Sequence, residues 1–337
     1  MVYKLNANEN PFGCSPKVQE LFVNYDRQHL YADPSAQELK KAIGLKYKID
    51  PQNILCGAGS EDLITTLIRT FCKLETDEII IPQHSFILYE KAAQITGSRI
   101  INVGYDSEWR VDVDQMINAI TPNTKMICLD HPGNPIGTFI PYTDLKCLVE
   151  SVPSSVIILI DSAYAEYAYR FEDYNDGMAF PLLYPNVCVT RTLSKVYGLA
   201  GLRIGCLYAS SQLMEKLNYQ RVLYKASRIA QEAGIIALSD DVFAKKTIDY
   251  TVNALKDIES FYDSMGILLC ENAGNFITLN FKSDMQAKSY YDYLYQHQIV
   301  TSLLNDYNLS HMVRISIGDH ASMELLKQFT LAYDFNT

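Results

Sequence analysis

Between residues 53 and 209, short apolar runs alternate with longer stretches whose apolar residues recur every three or four positions. The short runs predict strands at 53–57, 78–81, 99–103, 125–129, 156–160, 187–191 and 204–209. The run Val156–Ile160 is continuously apolar, the pattern of a strand covered on both faces. Between the strands, Ala58-Gly-Ser-Glu opens a helical pattern that carries Leu63, Ile64, Leu67, Ile68 and Phe71, and further helices are expected at 85–96, 112–120 and 141–151. Strand–helix alternation of this kind implies an α/β fold with a mostly parallel sheet sandwiched by helices. Such sheets bind ligands beyond the carboxyl ends of their strands.

The flanking segments read differently. Leu5-Asn-Ala-Asn-Glu-Asn-Pro-Phe-Gly13 is polar and punctuated by Pro and Gly, the wrong composition for a helix. Ser15 is placed to cap a helix to about Asn24, with Pro16 at its first position. Tyr31-Ala-Asp-Pro-Ser is a turn, and a helix follows from Ser35 toward Tyr47. Beyond residue 210, long helices are expected at 211–225 and 228–265, the second as a spine between domains. Strands Phe276–Phe281 and Val313–Ile317 and helices at 285–297 and 321–333 then form a smaller α+β lobe. At 337 residues the chain exceeds one hydrophobic core. The expected division is an N-terminal segment (1–30) packing with the small domain, a large domain (31–225), and an interdomain helix with the small C-terminal domain (226–337).

Charge and composition narrow the function classes. A formal net charge of −10 argues against a nucleic-acid surface. No run approaches the length of a membrane span. The first ten residues lack the apolar core of a signal peptide and read as mature protein. Eight cysteines without a C-x-x-C pair suit reduced thiols in the cytoplasm. Neither these nor the six histidines are spaced as metal ligands, so no metal is expected.

The chemistry concentrates at Thr190-Arg-Thr-Leu-Ser-Lys-Val-Tyr-Gly-Leu-Ala-Gly-Leu-Arg-Ile-Gly205. Lys195 lies in a mostly apolar stretch near Arg203, and a desolvated lysine beside another cation becomes a nucleophile toward an aldehyde. Thr192, Ser194 and Arg203 suit a phosphate. An aldehyde and a phosphate on one small molecule describe pyridoxal phosphate. The alternative for Lys195 alone is a solvated lysine in a Gly-rich turn. Asp161 directly follows the apolar run 156–160, where its carboxylate could pair with a protonated ring nitrogen; a helix cap is the alternative. Tyr164 and Asn134 could hold the ring 3′-oxygen, although among 24 tyrosines one packed tyrosine is unremarkable in number. Gly59 and Ser60 join a strand to a helix whose N-terminal N–H groups suit the phosphate. Phe86 could stack on the ring or simply pack in the core. Arg314 interrupts the apolar strand Met312-Val-Arg-Ile-Ser-Ile, so it needs an anion: either a substrate's acidic group or a structural ion-pair partner.

Taken in order, these stretches resemble the fold-type I, aspartate-aminotransferase-like pyridoxal-phosphate enzymes, and most closely the histidinol-phosphate aminotransferases. The resemblance rests on residues 5–13, Gly57-Ala-Gly-Ser-Glu-Asp-Leu-Ile64, Gly133-Asn-Pro-Ile-Gly137, Asp161-Ser-Ala-Tyr-Ala-Glu-Tyr167, Arg191–Gly205 and Val313–Gly318. It implies an internal aldimine on Lys195, Asp161 on the pyridine nitrogen, and Asn134 and Tyr164 on the 3′-oxygen. It further implies Ser194 and Arg203 on the phosphate, and Arg314 and Asn8 toward substrate. Tyr31 matches a tyrosine that reaches the neighbouring subunit's cofactor, which implies a homodimer. The implied reaction is ping-pong transfer from an amino donor such as histidinol phosphate to 2-oxoglutarate. A threonine-phosphate-decarboxylase-like enzyme, an aminotransferase for an unphosphorylated aromatic amino acid, and a non-catalytic cofactor-binding regulator are the other readings. The chain departs from the family in four places, one of them Gly133-Asn-Pro-Ile-Gly137 where Asn-Asn-Pro-Thr-Gly is usual, a change that keeps Asn134. It begins close to Asn8-Glu-Asn-Pro11, so a shortened N-terminal arm is expected, and Leu223-Tyr-Lys-Ala-Ser227 replaces the usual Pro-Tyr-Asn-Val-Asn. The arginine expected thirteen residues before Arg314 is Thr301, which leaves Lys225 or Arg228 to supply its charge.

Overall fold

The computed structural model describes residues 2–335 except Arg221. A two-residue strand β1 (Tyr3–Lys4) opens the chain, followed by helices α1 (Pro16–Val23) and α2 (Gln37–Tyr47). Strands and helices then alternate: β2 (Ile54–Gly57), α3 (Ser60–Phe71), β3 (Glu78–Pro82), α4 (Leu88–Thr96), β4 (Arg99–Val103), α5 (Val113–Asn118), β5 (Thr124–Asp130), α6 (Tyr142–Ser151) and β6 (Ile157–Asp161). Two single-turn helices, α7 (Ala165–Ala168) and α8 (Phe180–Leu183), precede β7 (Val187–Thr192) and β8 (Gly205–Ala209). The rest comprises α9 (Ser211–Gln220), α10 (Arg228–Ser239), α11 (Asp241–Asp263), β9 (Phe276–Asn280), α12 (Asp284–Gln296), β10 (Ile299–Val300), β11 (Ser302–Leu304), β12 (Leu309–Ser316) and α13 (His320–Ala332).

Seven strands form the large sheet in the order β2-β8-β7-β6-β5-β3-β4. All neighbours are parallel except β8, which runs antiparallel to both β2 and β7. β2 therefore points the same way as the rest, and the chain enters β8 at the edge where the other strands end. Successive residues of the central strands face opposite cores: Ile158 and Ile160 enter one cluster, Ile157 and Leu159 the other. That two-sided burial is the reason the run is continuously apolar.

A second antiparallel sheet, β11-β12-β9, packs against α11, α12 and α13 around Ile277, Leu279, Val313 and Ile315. The N-terminal segment joins this part through β1, parallel to β10, and through buried Leu5. Its helix α1, however, sends Val18 into the core of the large sheet. Helix α10 likewise gives Ala230, Ala233 and Ala237 to that core. Helix α11 bridges the two parts, giving Ala244 to that core and Leu255, Ile258 and Tyr262 to the core of the small sheet.

Three element boundaries depart from expectation. The helix expected at 85–96 starts at Leu88, because the backbone N–H groups of Ser85 and Phe86 donate to Pro82 and to the Asp130 carboxylate. The helix expected to reach residue 225 ends at Gln220. The single helix expected over 228–265 is two, broken at Asp240. Asp240 caps α11 by accepting from Phe243 N at 3.4 Å, and it accepts from Ser15 Oγ at 2.5 Å, while Ser15 caps α1. One carboxylate thereby satisfies two helix starts. Asp240→Ala should destabilise the protein by roughly 2 kcal/mol, read as a lower urea midpoint at unchanged slope; an unshifted midpoint would show that the break needs no cap.

Candidate active site

Because every parallel strand ends at one edge, residues just past those ends converge there. Asp130 and Asp161 close β5 and β6 in direct register, Lys195 follows β7, Ser60 follows β2, and Phe86 follows β3. They line a cavity of about 330 Å³ together with Asn134, Tyr164, Thr192, Ser194, Arg203, Asn8 and Arg314, so eleven of the twelve expected site residues other than Tyr31 share it directly. The twelfth, Gly59, lies immediately beneath Arg203: a Cβ there would sit 2.7 Å from Nη2, at a positive φ of 83°.

One end of the cavity is built for an anion. Helix α3 begins there with Ser60, and Thr192 and Ser194 hydroxyls lie 2.9 Å apart beside it. Arg203 pairs with Glu61 at 2.9 Å and donates to Ala200 O. Both partners of that ion pair are half-exposed, so it holds the guanidinium only weakly. Helix N-terminus, hydroxyls and a displaceable arginine are a donor set that fits a phosphate.

At the other end Asp161 accepts from Thr190 Oγ1 at 2.8 Å, and it caps no helix. Burial raises its carboxyl to about 6, against the Thr190 hydrogen bond and the Lys195 charge. Lys195 is shifted the other way, to about 8, first by burial and then by Arg314. Its ammonium lies 5.4 Å from the centre of the Tyr164 ring. Burial lifts the Tyr164 phenol to about 12, so it keeps its proton and can donate; its oxygen accepts from Asn8 Nδ2 at 3.0 Å. The Tyr164 ring also packs edge-on against Phe276, so packing and site roles coexist. Phe86 does the same, half-buried against the core and lining the cavity. Arg314 donates to Asn134 Oδ1, which leaves the Asn134 amide NH₂ as the group able to donate to a ring oxygen.

Arg314 is buried, yet among the described residues no carboxylate lies within ion-pair distance of it. Its partners are neutral: Asn134, Asn6 O at 2.7 Å and Ser302 Oγ at 3.5 Å, with Nε unpaired. Buried Arg191, by contrast, meets Glu166 at 2.6 Å and Asp176 at 3.1 Å. Thr301 is buried away from the cavity, its hydroxyl without a partner. Lys225 pairs with Asp62, and Arg228 with Glu232 and Tyr31 O, and neither lines this cavity. Tyr31 stands outside the cavity, 80% exposed against Tyr224.

The residue reading missed Asp130, Glu9, Glu61 and Tyr307, which also line the cavity. Asp130 carries the same signal as Asp161, an acid closing an apolar strand. Tyr307 sits in a one-turn 3₁₀ segment between two strands and carries none.

The sequence profile of the family "Aminotransferase class I and II" matches residues 1–328. A histidinol-phosphate aminotransferase of Rhodopseudomonas palustris (strain TIE-1) is 33% identical over 338 residues, covering 97% of this chain and 91% of its own. Histidinol-phosphate aminotransferase 2 of Hydrogenovibrio crunogenus is 35% identical, covering 94% and 84%. The crystal structure of histidinol-phosphate aminotransferase from Sinorhizobium meliloti, in complex with pyridoxal-5′-phosphate, superposes with a TM-score of 0.90 at 26% identity, over 97% of this chain and 89% of that one. The chain belongs to the class I and II aminotransferases and is a pyridoxal-phosphate-dependent enzyme of that class. The phosphate-type donor set and the carboxylate at the far end fit that cofactor. No helix among the described residues is long and apolar enough to cross a membrane.

The raised Asp161 carboxyl has a thermodynamic consequence. Its proton is held more tightly folded than unfolded, so its contribution to stability declines as pH rises from about 4 to about 6. Cofactor-free Asp161→Asn should therefore gain stability relative to the wild type across that window. Lys195, lowered to about 8, acts only at higher pH. Parallel wild-type and variant denaturation curves at each pH would check this; a difference that stays constant would place the Asp161 proton elsewhere.

Proposed function

We propose that the protein is a histidinol-phosphate:2-oxoglutarate aminotransferase of the cytoplasm, working by a ping-pong sequence. The observation that carries an acidic substrate is Arg314, a buried cation with no anion of its own that faces the cavity beside Lys195. Leaving such a group unpaired is costly, and a substrate phosphate or carboxylate offsets that cost on binding. The curated relatives named above support the particular donor. Eight unpaired cysteines support a reducing compartment.

When bound, the cofactor supplies an electron sink for the negative charge formed at the amine-bearing carbon. Lys195 Nζ would hold the cofactor and is placed to take the proton from that carbon; its lowered pKa makes the neutral base available near pH 7–8. Asp161 would pair with the ring nitrogen, Asn134 and Tyr164 would donate to the 3′-oxygen, and Phe86 would cover a ring face. Gly59, Ser60, Thr192, Ser194 and Arg203 would take the phosphate, while Asn8 and Arg314 would orient the substrate. Tyr31, exposed together with Tyr219, Val222, Leu223 and Tyr224, reaches a second copy's site in a homodimer. The functional division follows residues 1–30, 31–225 and 226–337, the last carrying Arg314.

Thr301 favours a second reading, an aminotransferase for an unphosphorylated aromatic amino acid, because with Arg203 given to the cofactor phosphate the cavity has one arginine, Arg314, left for one acidic group. Titrating the holoenzyme with histidinol phosphate, without any oxo acid, separates the readings. We expect the cofactor's absorbance band to move to that of its amine form and to return on adding 2-oxoglutarate. A response to phenylalanine or tyrosine alone would establish the second reading. Lys195→Ala should lose the borohydride-reducible link to the cofactor entirely; a retained link would overturn the assignment of Lys195.

A further inference from the structure

Asp130 belongs to neither the expected site residues nor the roles above, yet it is buried at the centre of the site. Its Oδ2 accepts from two backbone N–H groups at once, Asn134 N at 2.6 Å and Phe86 N at 3.2 Å. Those two residues come from different loops, one after β5 and one after β3. Each faces the cavity. Asp130 itself ends β5 in register with Asp161 on β6, so a second carboxylate stands beside the one assigned to the ring nitrogen.

The arrangement is expensive. Two buried carboxyls on adjacent strands repel, and burial lifts Asp130 to about 7 in spite of its hydrogen bonds. A strand could end more cheaply in an apolar or amide side chain. What Asp130 does that an apolar residue cannot is fix both loops from one atom. Asn134 is then held at its backbone by Asp130 and at its Oδ1 by Arg314, which aims its amide NH₂. Phe86 is held at the turn that keeps residues 85–87 out of α4.

We propose that Asp130 is a positioning residue for the cofactor, a clasp that sets the Asn134 contact at the ring's edge and the Phe86 contact at its face through one shared acceptor. This rests on the cofactor site proposed above. It concerns geometry, so an amide oxygen in the place of Oδ2 should serve as well, whereas a methyl group should not.

The test uses the holoenzyme and the variants Asp130→Asn and Asp130→Ala. Pyridoxal-phosphate affinity is read by equilibrium titration of the cofactor-free protein, and cofactor orientation by circular dichroism in its visible band. Asp130→Ala should weaken cofactor binding about tenfold to a hundredfold, since two buried N–H groups lose their acceptor, and should diminish the induced dichroism. Asp130→Asn should restore both to within about threefold of the wild type, on the same reasoning. A folded Ala variant with unchanged affinity and dichroism would overturn the proposal, as would an Asn variant as impaired as Ala. Hydrogen exchange decides the matter even if the Ala variant does not fold. The Phe86 and Asn134 amides should both be protected in the wild-type and Asn holoenzymes, and rapid exchange of either in the wild type overturns the clasp. A wild-type protein that does not bind pyridoxal phosphate at all would instead defeat the cofactor site itself.

Discussion

The structure depends on holding four ionisable groups, Asp130, Asp161, Lys195 and Arg314, around one cavity without letting any of them form a direct ion pair among the described residues. A buried charge normally takes a counter-ion, as Arg191 does with Glu166 and Asp176. Here neutral hydrogen bonds substitute for counter-ions: Thr190 on Asp161, two backbone amides on Asp130, and Asn134 and Asn6 on Arg314. Neutral partners stabilise a charge less than a counter-ion does, and Asp130, Asp161 and Lys195 remain shifted toward neutrality. That leaves a lysine whose proton comes off near 8 and a guanidinium still in need of an anion. The poise of the site is therefore a consequence of incomplete compensation.

Those neutral partners come from distant parts of the chain, which explains why the small sheet and the N-terminal segment sit where they do. Arg314 lies on the middle strand of the small sheet, between β11 and β9. Its guanidinium spans the gap to Asn134 in the loop after β5 and to the Asn6 carbonyl. The N-terminal segment is held in turn by Asn10, whose amide donates to Val196 O at 2.8 Å, right behind Lys195. Gly198 makes this approach possible, because a Cβ there would lie 1.9 Å from Gly13 O. Lys195 Nζ itself donates to Ala7 O at 3.5 Å, across 188 positions of sequence.

What the sequence reveals follows from how local the cause is. Asp161, Ser60 and Lys195 were legible because each sits at or within three residues of the end of a strand, and parallel strands end on one edge. The helix break at Asp240 was not, because its capping carboxylate is shared with Ser15, 225 positions away. Helical periodicity runs straight through that point. Asp130 was overshadowed by the Pro- and Gly-rich loop that follows it, although it closes its strand just as Asp161 does. Tyr307 reaches the cavity from a 3₁₀ turn that no periodicity marks, and the pairing of β1 with β10 involves two residues on each side. Long-range partners, not local propensities, decide the helix break and the pairing of β1 with β10.

The same logic bears on what enters the site. Arg314 already spends its terminal nitrogens on Asn134 Oδ1 and Asn6 O, and only Nε is unpaired. A phosphate or carboxylate that engages the planar fork in the usual two-pronged way competes with those neutral acceptors. If it displaces Asn134, the amide that faces the ring loses its fixed orientation unless the Asp130 contact to its backbone keeps it in place. With Thr301 where a second arginine is expected, the substrate role proposed for Arg314 has donor and oxo acid share this one guanidinium. They cannot do so together, and an alternation of amine donor and oxo-acid acceptor on a single anchor is what a ping-pong exchange requires.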